Sequence, residues 1–308
     1  MKFELSNNNK RYHTLDYYYK NKFNCKIMKI SLNAGFSCPH INTGGCIYCS
    51  KTGSGEYAGN VEKDLITQFN EQKQIMNKKW PNGKYIGYFQ ARTNTFAPVK
   101  ILKEKYECIL KQKDVIGLSI ATRPDCINNE CLEYLEDLNK RTFLTVELGL
   151  QTIHEKTSNY INRGHDLECF KECVLKLRNK NINVVVHIMN GLPFETKEMM
   201  IETVKYLNEL DIQGIKIHML CILKDTLLAD IYEKEKFKLL SKEEYIEIVC
   251  EQLKYLRKDI VIHRLCADPK IEDLIEPNWV IKKFCVMNDI DKYMAKHDII
   301  QGINIKNN

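Results

Sequence analysis

Apolar residues fall along this chain in short runs separated by longer stretches with a different rhythm. The runs cover residues 27–34, 85–91, 115–121, 143–150, 182–189, 214–220 and 259–265, all of strand length and several rich in Val and Ile. Between them apolar positions recur every three or four residues. Leu167, Phe170, Val174 and Leu177 follow Asp166, a side chain suited to an N-cap; Tyr245, Ile248, Val249, Leu253 and Leu256 follow a capping box of Ser241 and Glu244. Strands that alternate with helices pair in parallel, because a parallel connection has to cross the sheet and a helix is its usual crossing element. Six or seven such units predict an α/β fold, a full or partial (β/α) barrel, with a doubly wound sheet as the alternative. The barrel is expected over residues 26–265. Residues 1–25 form an N-terminal extension and residues 266–308, ending in the polar Lys306, Asn307 and Asn308, a C-terminal extension packed on the barrel.

Composition narrows the class. With 308 residues, 44% apolar and 28% charged, the chain has the make-up of a globular enzyme rather than of a disordered or collagen-like protein. No stretch approaches the roughly 18 apolar residues of a membrane span, and the start, MKFELSNNNKRYH, lacks the apolar core of a signal peptide, so a cytoplasmic location is expected. Thirteen cysteines is an odd number in a chain long enough to bury a core without covalent staples, and they read as thiols or metal ligands. The formal net charge of +6 is local: residues 1–29 hold seven Lys and Arg against Glu4 and Asp16, a surplus of +5.

The most informative stretch is SLNAGFSCPHINTGGCIYCS, where the first strand runs into a loop carrying Cys38, Cys46 and Cys49, with seven and then two residues between them. Gly44 and Gly45 permit backbone angles that let the loop wrap a compact object, and the two-residue gap before Cys49 suits two ligands on one centre. Two metal readings stand at this point. His40 offers a fourth ligand for a structural zinc. Three cysteines without a fourth fit a [4Fe-4S] cluster with one iron left open. Three unligated loop thiols are the bland alternative.

This loop, with aromatic Tyr48 just before its last cysteine, resembles the radical S-adenosylmethionine (radical SAM) superfamily, and its long first gap resembles the branch of the Elongator catalytic subunit and the YhcC-type proteins. KRYHTLDYYYKNKF, KISLNAGFSCP, YFQARTNTFAP, GLSIATRPDCI, VELGLQTIHEKT followed by INRGHD, HIMNGLPFETKEMM, GIKIHML and VIHRLCADP are similar to YhcC-type blocks in the same order, over nearly the whole chain. The chain departs from them in a shorter cysteine loop, in Arg92 for an aromatic, in Phe194 for Gly, and in Cys266 and Ala267 for Thr and Gly.

The resemblance implies that Cys38, Cys46 and Cys49 hold the cluster, that the open iron binds the amino and carboxylate groups of S-adenosylmethionine, and that Tyr48 lies near the adenine. An electron delivered to the cluster would cleave S-adenosylmethionine to methionine and a 5′-deoxyadenosyl radical. Catalytic groups belong at the carboxyl ends of barrel strands. Glu147 and Gln151 fall at the end of the fourth run and Arg163 twelve residues after Gln151, a spacing similar to the S-adenosylmethionine-binding pair of oxygen-independent coproporphyrinogen oxidase; a guanidinium pairs well with a carboxylate. A buried salt bridge for Glu147 and a helix-surface position for Arg163 are the structural alternatives. His187, Asn190 and the turn Gly191, Leu192, Pro193 end the fifth run, where a ribose or adenine contact is expected. Arg92, Asn94, Arg123, Asp125, His218, His263, Arg264 and Asp268 are further candidates for facing substrate.

Lys10, Arg11, Lys20, Lys22, Lys26 and Lys29 are interleaved with Tyr12, Tyr17, Tyr18, Tyr19 and Phe23, and along the arm only Asp16 opposes them. Cations meet phosphates and aromatics stack on unpaired bases, so this arm is a candidate RNA contact; a helix packing its tyrosines on the barrel is the competing reading. The resemblance implies transfer RNA as partner and maturation of the 5-substituent of the wobble uridine as the reaction, besides an electron donor of unknown identity. A small-molecule substrate and a non-catalytic RNA-binding metal loop are the alternatives.

Overall fold

In the computed structural model, residues 3–305 are described apart from 8, 54 and 56, so the polar tail from Lys306 lies outside the described residues. Seven parallel strands form one curled sheet: β1 (Ile27–Leu32), β2 (Lys84–Phe89), β3 (Val115–Thr122), β4 (Phe143–Gln151), β5 (Asn183–Asn190), β6 (Gly214–Met219) and β8 (Val261–Arg264). They lie side by side in chain order, each consecutive pair parallel. Two short strands, β7 (Ile222–Leu223) and β9 (Leu274–Glu276), pair antiparallel in a separate sheet. The architecture is a partial (β/α) barrel. All seven apolar runs became its strands, with ends shifted by one or two residues.

The two-residue period of the strands sorts their side chains into two layers. Ile30 and Leu32, Leu118 and Ile120, Leu144, Val146 and Leu148, Val184, Val186 and Ile188, Ile215 and Ile217 face outward, where they join one buried core with the covering helices. Those helices start where the sequence has side-chain acceptors: Asp166 takes the Cys169 N–H at 2.8 Å, and Ser241 and Glu244 close a reciprocal capping box. The alternate positions of the same strands, among them Lys29, Ser119, Glu147, His187 and Lys216, face the barrel interior.

The interior is sealed at the end where the strands begin. Helix α1 (Leu15–Phe23), capped by Thr14, lays buried Tyr19 against Ile27 and Ile86. Phe23 meets Phe143 edge-on, with ring centroids 5.1 Å apart. α1 touches both β1 and β8, the two edges of the open sheet, and Thr14 bridges to Ile262. The chain ends are knitted together here: the side chain of Gln301 accepts the His13 N–H and donates to the Arg257 and Ile260 carbonyls. Among the described residues no helix is long and apolar enough to cross a membrane.

Candidate active site

At the opposite end, where the strands finish, β1 passes into the cysteine loop. Pro39–Thr43 form a 3-10 turn directly after Cys38, and Gly44 and Gly45 follow with φ of 93° and 67°, the left-handed angles anticipated for them. The loop is pinned from several sides. Asn162 donates its side-chain amide to the Gly45 carbonyl at 2.7 Å, the Ile47 N–H donates to the Ile161 carbonyl, and the Leu228 N–H donates to the Ile47 carbonyl. Cys38, Cys46 and Cys49 thereby line one cavity of about 520 Å³, together with Tyr48, Gln151 and the inner faces of β2 to β8.

His40 settles which metal reading fits. One ring nitrogen sits 2.6 Å from the Asn162 carbonyl and the other 2.6 Å from the Thr43 hydroxyl, so both are engaged within the protein. A Cβ on Gly164 would lie 2.6 Å from this ring, which is why glycine occupies that position. Among the described residues no group of three or more His, Cys, Asp and Glu is arranged to hold a single metal ion. A structural zinc needs four protein donors about 3.8 Å apart, given Zn–S bonds of about 2.3 Å in a tetrahedron. With both His40 nitrogens taken, three loop thiols on one wall fit instead an iron–sulfur cluster with an open iron.

The cationic side chains near the loop are held by specific partners. Arg123 forms a two-point pair with Asp125, at 2.9 and 2.8 Å, and gives Nη1 to the Arg163 carbonyl. Arg92, with φ of 61°, donates to the Lys51 carbonyl and so fixes the segment after Cys49. Burial pushes the Cys46 thiol up, opposed by the Tyr48 hydroxyl and by Arg123. Metal binding, which requires the thiolate, works against that same burial cost.

The expected S-adenosylmethionine contacts separate into two groups. Tyr48, Glu147, Gln151 and His187 line the cavity. Gln151 does so from a left-handed backbone, φ 64°, at a bulge where β4 meets β5, the kind of strained strand end that collects at functional sites. Arg163 is placed differently from the expectation. It is 3% exposed, and its guanidinium donates to the carbonyls of Leu150, Thr152 and His165 at 2.6 to 2.9 Å. It ties the turn after β4 together rather than standing ready for a carboxylate.

Glu147 likewise takes a structural share. Its carboxylate is 1% exposed, accepts from Lys29 at 2.7 Å, Ser119 at 2.6 Å and His187 at 2.7 Å, and pairs with Lys216. It titrates well below the usual carboxylate range: burial opposes the charge, but Lys216, Lys29 and His187 outweigh it. Lys216 also donates to the Tyr88 hydroxyl at 2.9 Å, yet burial and the neighbouring Lys29 and Arg264 bring its ammonium down to about 7. His187 falls to about 4, through burial first and Lys216 second, and is neutral at physiological pH. Asn94 and Asn190 are structural: Asn94 donates to three strand-end carbonyls, and Asn190 exchanges hydrogen bonds with buried Gln252. Asp268 pairs with Lys283. Lys29, expected in the RNA-facing basic arm, instead points into the barrel and pairs with Glu147; Lys216, Tyr88 and Ser119 are interior residues that sequence reasoning missed.

A half-barrel whose first strand delivers three cysteines to a cavity at the strand ends defines a radical SAM enzyme. The chain belongs to that superfamily: the Radical SAM superfamily model matches residues 36–207, and the Radical_SAM C-terminal domain matches residues 212–296. This family uses a [4Fe-4S] cluster and S-adenosylmethionine. The chain is 49% identical to YtqA of Bacillus subtilis (strain 168) over 304 residues, covering 97% of this chain and 94% of that one. It is 30% identical to YhcC of Escherichia coli (strain K12) over 283 residues, covering 90% of each. Similarity to the tRNA uridine(34) acetyltransferase of Methanocaldococcus jannaschii is 28% over 188 residues, 60% of this chain and 34% of that protein. Among solved structures, the archaeal Methanocaldococcus infernus Elp3 with N-terminus deletion superposes with a TM-score of 0.68 at 18% identity, covering 90% of this chain and 64% of that one. The YhcC-type and Elongator resemblance read from the blocks is thus borne out.

Proposed function

We propose that this radical SAM enzyme modifies transfer RNA, at a C–H bond of the 5-substituent of the wobble uridine, with the aminomethyl and carboxymethylaminomethyl forms as the relevant species. The observation that carries the reading is the cavity itself: three cysteines on one wall face a wall in which Lys216 and Arg264 stand side by side. A cluster and S-adenosylmethionine bound there supply reductive cleavage to methionine and a radical that takes a hydrogen atom from carbon. The protein's own part is to hold the three thiolates on a pinned loop, to present Gln151 and Tyr48 to the nucleoside side of the cavity, and to keep His187 neutral and oriented by Glu147. The stretch shared with the tRNA uridine(34) acetyltransferase supports a uridine in transfer RNA as the target.

The RNA contact expected from the basic arm is proposed in narrower form. Lys10 pairs with Asp291, Arg11 with Asp298 and Lys26 with Asp16, whereas Lys20 is exposed and makes no ion pair among the described residues. Lys22 lies over the rings of Tyr18 and Phe143 with its charge outward. Lys20 and Lys22 are the cations of the arm open to phosphate. The involvement of the other four in ion pairs, Lys29 with Glu147 among them, favours, as the second reading, a small-molecule substrate.

The test is to incubate the anaerobically reconstituted, reduced enzyme with S-adenosylmethionine and transfer RNA carrying carboxymethylaminomethyluridine, then to digest the RNA and separate its nucleosides. The reading requires loss of that nucleoside together with RNA-stimulated 5′-deoxyadenosine. An unchanged nucleoside and the same 5′-deoxyadenosine rate with and without RNA would point to the small-molecule alternative.

A further inference from the structure

The inner wall of the barrel holds more cation than its acid accounts for. Gly149, His187, Lys216 and Arg264 are successive register partners across β4, β5, β6 and β8, so they stand at one height on one face. Like charges on neighbouring strands repel, and Lys216 beside Arg264 is such a pair. Glu147 is the buried acid of this wall, and its two oxygens already serve Lys29, Ser119, His187 and Lys216. Among the described residues, the guanidinium of Arg264 has no acid in ion-pair contact.

Two residues further along β6, His218 packs its ring on His187, centroids 5.5 Å apart, and its Nε2 is buried without a hydrogen-bond partner among the described residues. Lys216, His218 and Arg264 all line the cavity that the three cysteines line. A buried donor without an acceptor costs about 1–3 kcal/mol, and a desolvated cation without a counter-ion costs more. Among the described residues, His218 with its unpartnered nitrogen and Arg264 without an acid stand beside a Lys216 that shares Glu147 with three other donors, and the space on which they converge is suited to a further acceptor.

We propose that Lys216, His218 and Arg264 form a binding site for a carboxylate of the substrate. A guanidinium takes the two oxygens of a carboxylate in a forked pair, and an ammonium and an imidazole N–H fill the remaining lone pairs. The depth of the site selects the source. Lys216 is 5% exposed and sits in the middle of β6, a level reached by the side group of a nucleoside rather than by a backbone phosphate. This deepens the proposed function and rests on it: the carboxymethyl end of the wobble substituent would sit on this wall with its C–H bonds held toward the cysteine loop, and the aminomethyl form would lack the contact.

Two measurements separate this site from the reading it rests on. The first follows trifluoroacetate by fluorine NMR as a bare carboxylate probe on the holoenzyme with S-adenosylmethionine bound, with iron content confirming that each variant is intact. Wild type should bind it saturably; Arg264→Gln should weaken binding about tenfold, as expected for a lost charge-assisted hydrogen bond, Arg264→Lys should restore part of it, and the surface change Lys176→Gln should have no effect. Equal binding by wild type and Arg264→Gln overturns the site. So does a loss of S-adenosylmethionine affinity in Arg264→Gln with trifluoroacetate binding unchanged, which would give the wall to the methionine carboxylate. The second measurement compares anticodon stem-loops carrying the carboxymethylaminomethyl or the aminomethyl group. Wild type should prefer the former and Arg264→Gln should lose the preference. A preference retained in Arg264→Gln overturns the site and leaves the uridine reading standing; no preference in wild type, with Arg264-dependent trifluoroacetate binding, overturns the uridine reading and leaves the site standing.

Discussion

The two ends of the barrel are built from the same seven strands and do opposite things. Where the strands start, inward side chains are apolar or aromatic, and α1 closes the opening with Tyr19 and Phe23 against Ile27, Ile86 and Phe143. Where they finish, inward side chains are charged or polar, and the opening is rimmed by the cysteine loop. Between the two lies the Glu147 network, the point at which packing gives way to chemistry. The difference shows how one fold separates stability from function: the dry end keeps the sheet curled, and the wet end holds groups whose charges would be too costly without specific partners.

The largest effects should come from the wet end. Cys46→Ala should abolish cluster iron and 5′-deoxyadenosine formation together, whereas Cys285→Ala, on the exposed face of the C-terminal helix, should leave both intact; iron assay and nucleoside chromatography read the two. Next is the boundary. Glu147→Gln leaves Lys29 and Lys216 buried without their acid and should lower unfolding free energy by about 3–5 kcal/mol in urea titration. The sign with pH follows from the depressed titration of Glu147: its stabilisation is present above the carboxylate's unfolded value and is lost as pH falls toward its folded one, so the gap between wild type and variant should narrow in acid.

At the dry end, Tyr19→Ala should also cost about 3–5 kcal/mol, by leaving a cavity under α1, yet spare 5′-deoxyadenosine formation per folded chain. Equal loss of both would show that the two ends are not separable. A smaller effect is expected of pH on trifluoroacetate binding. Lys216 faces Glu147, Lys29, Arg264, His187, His218 and the Tyr88 hydroxyl, and its ammonium titrates at about 7, so affinity should fall as pH rises through that value. A flat profile from pH 6 to 8.5 would remove Lys216 from the site. The smallest is expected at the arm: Lys20→Gln with Lys22→Gln should weaken transfer RNA binding mainly at low salt and make the log–log salt slope shallower by about 1.4–1.8. Lys10→Gln should change stability by no more than about 1 kcal/mol, as for a half-exposed ion pair.

What the sequence revealed of this division follows from the range of each signal. The strands were legible because their outward faces are mostly Ile, Leu and Val, with Met and aromatic residues at a few positions, and helix starts because Asp166 and Ser241 act within one turn. The cysteine loop was legible because three thiols in twelve residues are local. Lys29 and Lys216 were also within reach: in KISL and GIKIHML they alternate with isoleucine and leucine, and a two-residue period puts them on the face opposite the core. Arg163 was not. Its spacing from Gln151 suggests a ligand, but its fate depends on how the turn folds back to bring the Leu150 and Thr152 carbonyls under the guanidinium. The basic arm misled for a related reason, since Asp291 and Asp298, which neutralise Lys10 and Arg11, lie some 280 residues further along the chain.

The most direct measurement is metal content and S-adenosylmethionine turnover on protein purified and reconstituted without oxygen. A radical SAM enzyme with the open-iron site described here will carry about four irons per chain, show a reduced-cluster paramagnetic signal that shifts when S-adenosylmethionine is added, and release 5′-deoxyadenosine. One zinc per chain and no nucleoside would contradict it.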